Sequence, residues 1–337
     1  MAPFTTHRCV NSSLSLYQMN IFKIGLRYFQ IISLISYFPL HWPDALKTLF
    51  AGFTAASSVG DGVISVECPV NLFPFGAFFG KAALYSVLPL VLLAVVALMF
   101  RVSSRLAETE ERKNLWISKF VAATVALGLV CYPTLTQTTT AFFRCAEFGK
   151  DRTFLRADMS QQCWTHAHWL FTAVIAVPAF ALYTIGFPLG TLYMLVKGTE
   201  RLGLNARTFD YVMEGYTQES RFFEPVIILR LGFLGISSVL FQSMVEVQIY
   251  AGLMILFVAL VINLRVKPFS TRGLNTIEEV TLIASWFTLF GGALLFSPKI
   301  TLDWFKIFVT VMIFVTNLGV FFFLIYSALS FVQLGWR

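Results

Sequence analysis

The stretch AFFGKAALYSVLPLVLLAVVALMF, residues 77–100, decides the class of fold. It holds a single charged side chain, Lys81, and about 20 mostly apolar residues are enough for a helix to cross the hydrocarbon of a bilayer. The whole chain of 337 residues shares this character, because it is 57% hydrophobic and only 13% charged. Soluble domains carry roughly 25% charge. We therefore predict an all-α fold, a polytopic membrane helix bundle.

Hydropathy predicts about eight transmembrane helices. The predicted spans are residues 21–40, 77–100, 115–143, 164–196, 223–241, 247–264, 279–296 and 304–332. They form one transmembrane domain, 21–332, between a short N-terminal cytoplasmic segment, 1–20, and a short C-terminal tail, 333–337. A weaker apolar stretch, 45–56, is too short to cross and is expected at the interface or in a pore vestibule.

The distribution of Lys and Arg among the loops predicts the orientation. Loops 101–119, 197–221 and 265–272 are rich in these residues, and cytoplasmic loops carry such an excess. With eight spans these loops lie on one side, together with both termini, which we expect in the cytoplasm. The loop 144–156 is an exception, because it has four cations on the opposite side.

The cysteines agree with this orientation. Cys68, Cys145 and Cys163 fall in loops expected outside, where disulfides persist. Cys145 and Cys163 flank one connection, so a bridge between them would join its ends. Cys68 can instead pair with either of them, and the sequence leaves the choice open. Cys131 lies within the third span and is interpreted as a small apolar side chain.

Arg230, near the middle of the fifth span, is the clearest charged residue inside a predicted helix. Ionisable groups inside a membrane are expensive and are functional candidates by default. One interpretation is an ion-pathway or gating charge. The alternative is a structural ion pair with Glu224, Glu278 or Glu279, or extension of the side chain to the inner surface.

The third and fourth spans carry polar and helix-bending residues. The run 134–140 places Thr136, Gln137, Thr138 and Thr139 in the outer half of the third span. These side chains either line a hydrated path or form hydrogen bonds between helices. Proline interrupts helical hydrogen bonding, so Pro188 makes the fourth span a candidate gating helix, although such bends are also common in static membrane helices.

Other patterns indicate no further chemistry. The string 59–62, Val-Gly-Asp-Gly, superficially resembles a potassium-filter sequence, but a plain turn is favoured. His166 and His168 point to different faces of a helix, so a shared metal ion is not expected. We find no catalytic triad, phosphate loop or basic stripe. We therefore expect no enzyme activity, no cofactor or metal, and no nucleic-acid partner.

Several short strings occur together in a familiar order. They are YFQIISL (28–34), PLHWP (39–43), SVEC (65–68), LRAD (155–158), QCW (162–164), GFPL (186–189), EGY (214–216), FE (223–224), LR (229–230), KPF (267–269) and LN (274–275). In that order they resemble the C-terminal multi-helix region of large protist and algal surface proteins. Such regions are described as transient-receptor-potential-like channel domains, of the polycystin or fungal flavin-carrier-like type.

The resemblance implies a cation-permeable channel subunit that works as an oligomer in the plasma membrane or an organellar membrane. The partners it implies are lipid, further copies or other membrane subunits, and cations. Two departures from the family pattern matter: no long extracellular repeat region precedes Lys23, and Leu231 stands where a second basic residue is expected. They favour the alternative, a non-conducting structural or accessory subunit of a larger membrane complex. A seven-helix receptor fits less well, because the outer loops are short.

Overall fold

The computed structural model describes residues 4–57, 77–105, 109–147, 152–201, 215–241 and 243–334. Within these residues the fold is a set of long helices. They are α1 (Phe4–Ser36), α2 (Asp44–Ser57), α3 (Ala77–Arg105), α4 (Glu110–Ala141), α5 (166–201), α6 (Phe223–Leu240), α7 (Val245–Val266), α8 (Arg272–Phe296) and α9 (Asp303–Leu334). Seven of them, α3 to α9, are long and apolar enough to cross a membrane. The prediction of a polytopic membrane helix bundle is confirmed.

The first predicted span differs from the other seven. It lies in α1, which begins already at Phe4 and ends at Ser36, and α1 is not among the seven helices that meet the membrane-spanning criteria within the described residues. Lys23, Arg27 and Gln30 lower its hydropathy, yet all three side chains are buried by the protein. The segment 1–20, predicted as a separate cytoplasmic piece, is therefore helical from Phe4 onward.

The seventh predicted span starts too late. Its helix, α8, begins at Arg272 rather than at residue 279, because its first two turns are polar and hydropathy does not detect them. The stretch 45–56 is the helix α2, of 14 residues. At a rise of about 1.5 Å per residue it extends about 21 Å, which is shorter than the hydrocarbon core of about 30 Å.

The chain divides into two compact units. The described part of the first unit contains α1, α2, α7, α8 and α9, together with residues 215–223. Its interior is aromatic: Phe29 stacks on Phe53 with ring centroids 4.8 Å apart, and the Trp42 ring meets Phe50 edge-on. Helices α7 and α8 approach closely at Gly252, where a Cβ would lie 2.7 Å from Leu289.

The described part of the second unit contains α3, α4, α5 and α6. The ring of Phe187 in α5 occupies the space above Gly128 in α4, where a Cβ would lie 2.2 Å from the ring. Many large apolar side chains of α3 and α5 are exposed on the outside of this unit. Such surfaces suit hydrocarbon as a solvent.

A small sheet joins α4 to α5, and the sequence analysis did not predict it. It consists of β1 (Cys145–Glu147), β2 (Thr153–Leu155) and β3 (Asp158–Gln162) in the order β1-β2-β3, with antiparallel pairing throughout. The strands are three to five residues long and mostly polar, so they give no clear alternation. The sheet brings the two ends of the connection together.

Candidate functional site

The polar run of the third predicted span lies inside the second unit. Thr136, Thr139 and Thr140 of α4 are buried, whereas Gln137 and Thr138 are half-buried. The hydroxyl of Thr139 donates to the carbonyl of Leu135 at 2.7 Å, and that of Thr140 to the carbonyl of Thr136. These threonines therefore bond first to their own helix. Each hydroxyl oxygen keeps acceptor capacity for a further partner.

Two side chains of this run connect α4 to its neighbours. The Thr184 hydroxyl of α5 donates to the Thr136 hydroxyl oxygen at 3.4 Å. The Gln137 amide donates to the Ser238 hydroxyl oxygen of α6 at 3.2 Å. Hydrogen bonds of this kind hold transmembrane helices together. The structure thus brings Thr136 and Gln137 into contact with Thr184 and Ser238, which the sequence analysis did not single out.

Helix α5 departs from regular α-helical geometry over most of its middle. Residues Thr172–Ala176 and Phe180–Gly186 are π-helical, separated by the α-helical turn Val177–Ala179. The missing N–H of Pro188 removes the donor that would bond the carbonyl of Thr184 four residues earlier. The Tyr132 hydroxyl of α4 donates to that carbonyl at 3.2 Å. A side chain of a neighbouring helix thus supplies a donor to this carbonyl, which cannot be bonded by the residue four positions later.

The Tyr132 side chain also packs against Gly232 of α6 and Phe187 of α5. A Cβ at Gly232 would lie 2.3 Å from its hydroxyl oxygen, so only glycine permits this approach. Its ring lies 5.8 Å from that of Phe187. A second tyrosine, Tyr183 of α5, donates to the carbonyl of Ser86 in α3 at 2.6 Å. Helix α5 is therefore fastened to α3 and α4 through tyrosine hydroxyls.

The two charged candidates of the fifth predicted span both lie buried in α6. Glu224 is in its first turn and Arg230 is six residues further on. Six residues correspond to about 9 Å along the axis and a rotation of about 120° from the starting face. The two side chains therefore leave α6 on different faces. Both interact with other groups of the protein.

In the second unit, a disulfide between Cys145 and Cys163 joins the two ends of the connection between α4 and α5. This bond confirms one of the pairings left open by the sequence, while Cys68 lies outside the described residues. His168 of α5 is buried beneath the bond, with its Nε2 3.2 Å from the carbonyl oxygen of Phe142. Cys131 is a buried free thiol within α4.

Arg144 is one of the four cations of the loop 144–156, and its contacts give it a structural role. Its guanidinium donates to the carbonyls of Val239 and Leu240, the last residues of α6. A cation at the C-terminus of a helix is stabilised by the carbonyls there. Burial lowers the pKa of Arg144, and the like charge of Arg156 lowers it further.

The first unit has a buried polar interior that the sequence analysis missed. Lys23, Arg27 and Gln30 follow one another at helical spacing on one face of α1, and all are buried. Arg27 donates to the Tyr216 hydroxyl at 3.4 Å. The spacing i, i+4, i+7 within an apolar helix was the available signal, since it places three polar groups on one face.

Three of the strings that carry the family resemblance meet near Tyr216. Tyr216 forms a β-bridge with Phe269, and the two rings stack with centroids 5.0 Å apart. The Asn275 side chain accepts from the Phe269 N–H at 3.0 Å and donates to its carbonyl at 2.8 Å. Asn275 therefore fixes the connection between α7 and α8.

Comparison with protein-family models, with curated proteins and with solved structures gave no match for this chain.

Proposed function

We propose that this protein is a subunit of a transient-receptor-potential-like cation channel, and that α5 is the helix that moves when the channel opens. The channel would work as an oligomer in the plasma membrane or an organellar membrane. One observation carries the proposal. In the π-helical middle of α5, the Thr184 carbonyl accepts a hydrogen bond from the Tyr132 hydroxyl of α4.

Interrupted hydrogen bonding supports a moving helix. Separating two hydrogen-bonded backbone groups of a membrane helix in hydrocarbon costs roughly several kcal/mol of free energy. In α5 the backbone is already shifted to π geometry on both sides of Pro178, and one carbonyl is bonded by a side chain that can rotate away. Single π turns inside α-helices occur frequently at functional sites. Changing the register of α5 therefore costs less than it would in a continuous α-helix.

The polar groups around α5 support a role in ion passage. Thr136 of α4, Thr184 of α5 and Ser238 of α6 carry hydroxyl oxygens, which are the ligand atoms that hard cations prefer. All three are buried in the present conformation, so we assign this conformation to a closed state. Movement of α5 would change the exposure of Thr184 first, since that residue lies within the π-helical segment.

The test is single-channel recording from purified protein reconstituted in a planar lipid bilayer. We expect discrete cation currents from the wild type and a changed open probability for Tyr132→Phe, which lacks the hydroxyl that bonds Thr184. Tyr193→Phe is the matched control, because Tyr193 lies on α5, the helix of Thr184, with an exposed ring, and its currents should equal those of the wild type.

Arg230→Gln extends the test to the buried charge of α6. An altered conductance would place Arg230 near the ion pathway, whereas an altered open probability alone would place it in the gate. Absence of current from well-folded protein under voltage, membrane stretch and calcium would overturn the channel proposal.

A second candidate, a non-conducting structural subunit, is favoured by a different observation. Gln137 and Ser238 bond each other, and Thr139 bonds its own helix, which is the pattern expected of polar groups that only join helices. Large side chains such as Trp169, Phe233 and Trp304 are exposed and suit packing against lipid or partner subunits. This second candidate would be supported if the protein gives no current and purifies from native membranes as part of one defined larger complex.

A further inference from the structure

Three groups that can bind a soft metal ion lie together in the second unit, where α4 is connected to α5. Cys145 begins β1, Cys163 follows β3, and His168 lies in the first turns of α5. Their ligand atoms all lie within 4.8 Å of one another, the one such group of three found among the described residues. Cys163 and His168 are each at least 97% buried, and Cys145 is half-buried.

The fold brings these residues together independently of the disulfide. Strand β2 pairs with β1 and with β3, and the backbone N–H of Cys163 donates to the carbonyl of Thr153 at 2.9 Å. The Thr165 side chain accepts from the His168 N–H at the start of α5. The positions of both cysteines and of His168 are thus set by backbone pairing and by a helix cap.

One of the two hydrogen bonds of the His168 ring is the bond expected of a metal ligand. Its Nε2 lies 3.2 Å from the carbonyl oxygen of Phe142. A carbonyl only accepts, so Nε2 carries the proton and Nδ1 carries a lone pair. That Nδ1 accepts a hydrogen bond at 3.4 Å from the backbone N–H of Trp164, the residue next to Cys163, and a metal ion at Nδ1 would have to replace this long bond. Metal-binding histidines almost always donate their other ring N–H to a carbonyl or carboxylate in this way.

We propose that, when the disulfide is reduced, Cys145, Cys163 and His168 bind one thiophilic d¹⁰ cation such as Zn²⁺. A dithiol reductant supplies two electrons and two protons, so the disulfide becomes two thiols while the reductant becomes a disulfide. Metal binding then releases the two thiol protons to solvent and forms two metal–sulfur bonds and one bond to Nδ1, which gives up the hydrogen bond from the Trp164 N–H. The metal undergoes no redox change. Two thiolates and one imidazole leave the fourth tetrahedral position of zinc open to water.

The consequence is a connection that stays closed in two chemical states. In the oxidised protein the covalent bond joins the end of α4 to the start of α5. In the reduced protein the metal ion joins the same two points. The reduced, metal-free protein is the one state in which only the short sheet and its neighbouring hydrogen bonds hold the connection.

The experiment uses the purified full chain in detergent micelles. The protein is reduced with dithiothreitol, desalted without oxygen and titrated with Cd²⁺, which gives an ultraviolet charge-transfer band with thiolates, and then with Zn²⁺ against a coloured chelator. We expect one high-affinity site in the reduced wild type that is absent from the oxidised protein. His168→Gln should weaken Zn²⁺ binding by at least about tenfold.

His166→Ala is the matched control, because His166 is exposed two residues away and should leave the affinity unchanged. A Cys145→Ser/Cys163→Ser double variant should lose the site, and it keeps the test valid if His168→Gln folds poorly. Equal affinity in the His168 and His166 variants, binding by the oxidised protein, or no binding by the reduced wild type would each overturn the proposal.

Discussion

The hydroxyl of Tyr28 donates a 2.8 Å hydrogen bond to Oδ1 of Asn317, which joins α1 to α9 inside the first unit. The Nδ2 of Asn317 donates in turn to the Thr288 hydroxyl oxygen of α8, also at 2.8 Å. Tyr28, Asn317 and Thr288 are all essentially inaccessible to solvent. The side-chain amide of Asn317 thus connects three helices, and both its nitrogen and its oxygen are hydrogen-bonded.

Replacing this amide should destabilise the protein. Asn317→Leu leaves the Tyr28 hydroxyl and the Thr288 oxygen without their partner, and an unsatisfied buried polar group costs about 1–3 kcal/mol. We expect a clear fall in the thermal midpoint of the protein in detergent. Unfolding is measured by the fluorescence of a dye that does not react with thiols, or by light scattering.

Asn263→Leu is the contrasting variant. Asn263 of α7 is equally buried, but no group in the described part of the chain hydrogen-bonds either atom of its side-chain amide. An apolar side chain of similar size should therefore be neutral or stabilising. An equal loss of stability in the two variants would show that hydrogen bonding is not the cause.

The close approach of Gly232 to Tyr132 predicts a coupled pair of substitutions. Gly232→Ala places a methyl group 2.3 Å from the tyrosine hydroxyl oxygen, and overpacking of this kind costs about 1–3 kcal/mol. In a Tyr132→Phe background the nearest remaining atom would be 3.2 Å away, so the same substitution should cost much less. A double-mutant cycle on thermal stability measures the coupling, and strict additivity of the two effects would contradict the packing described.

Arg144 should be required to hold the C-terminal end of α6. Arg144→Gln removes the charge that bonds the carbonyls of Val239 and Leu240. Hydrogen bonds to charged groups contribute about 1.5–3 kcal/mol, so we expect reduced stability and faster amide exchange at the end of α6.

Arg156→Gln provides the control for charge. Arg156 repels Arg144 and thereby lowers its pKa, so removing this neighbour favours the charged form of Arg144. The stability should be unchanged or slightly higher. A loss as large as that of Arg144→Gln would mean that the net charge of the connection matters, rather than the contact with α6.

Gly215 should tolerate no side chain. Its φ of +93° lies in the region that L-residues rarely adopt, and a Cβ would lie 2.4 Å from the Asn20 amide. Gly215→Ala should therefore lower the thermal midpoint and reduce expression. Gly319→Ala is the matched control, because α9 is helical there with no atom within 4 Å of the new Cβ, and alanine is favoured over glycine in a helix by about 1 kcal/mol.

The membrane helices were predictable because run length and hydropathy report directly on crossing a bilayer. The same measure failed where polar residues are buried by protein rather than exposed. Lys23 and Arg27 made α1 look like a helix with a charged start, although both side chains are enclosed. The first turns of α8 were missed for the same reason, since Asn275 and Glu278 are polar and yet buried.

The candidate site was predictable only in part. The run around Thr136 and Gln137 and the proline at 188 were visible because they interrupt an apolar pattern. Their partners were not, because Tyr132, Thr184 and Ser238 are ordinary residues of membrane helices whose importance lies in which atoms they meet. Pairing across more than 40 residues of sequence, as between Tyr132 and Thr184, leaves no local signal.

The two π-helical segments of α5 also determine how the two ends of this helix are rotated relative to each other about its axis. Each residue of an α-helix turns the chain by about 100°, and a π turn contains one residue more than an α turn. Returning one of these segments to α geometry would therefore turn the part of α5 beyond it by roughly 100°. The start of α5 is tied through Cys163 to the end of α4, so the rotation would fall on the end that carries Pro188 and Thr191. A small rearrangement of hydrogen bonds would thereby change which side chains the last four turns of α5 present to their surroundings.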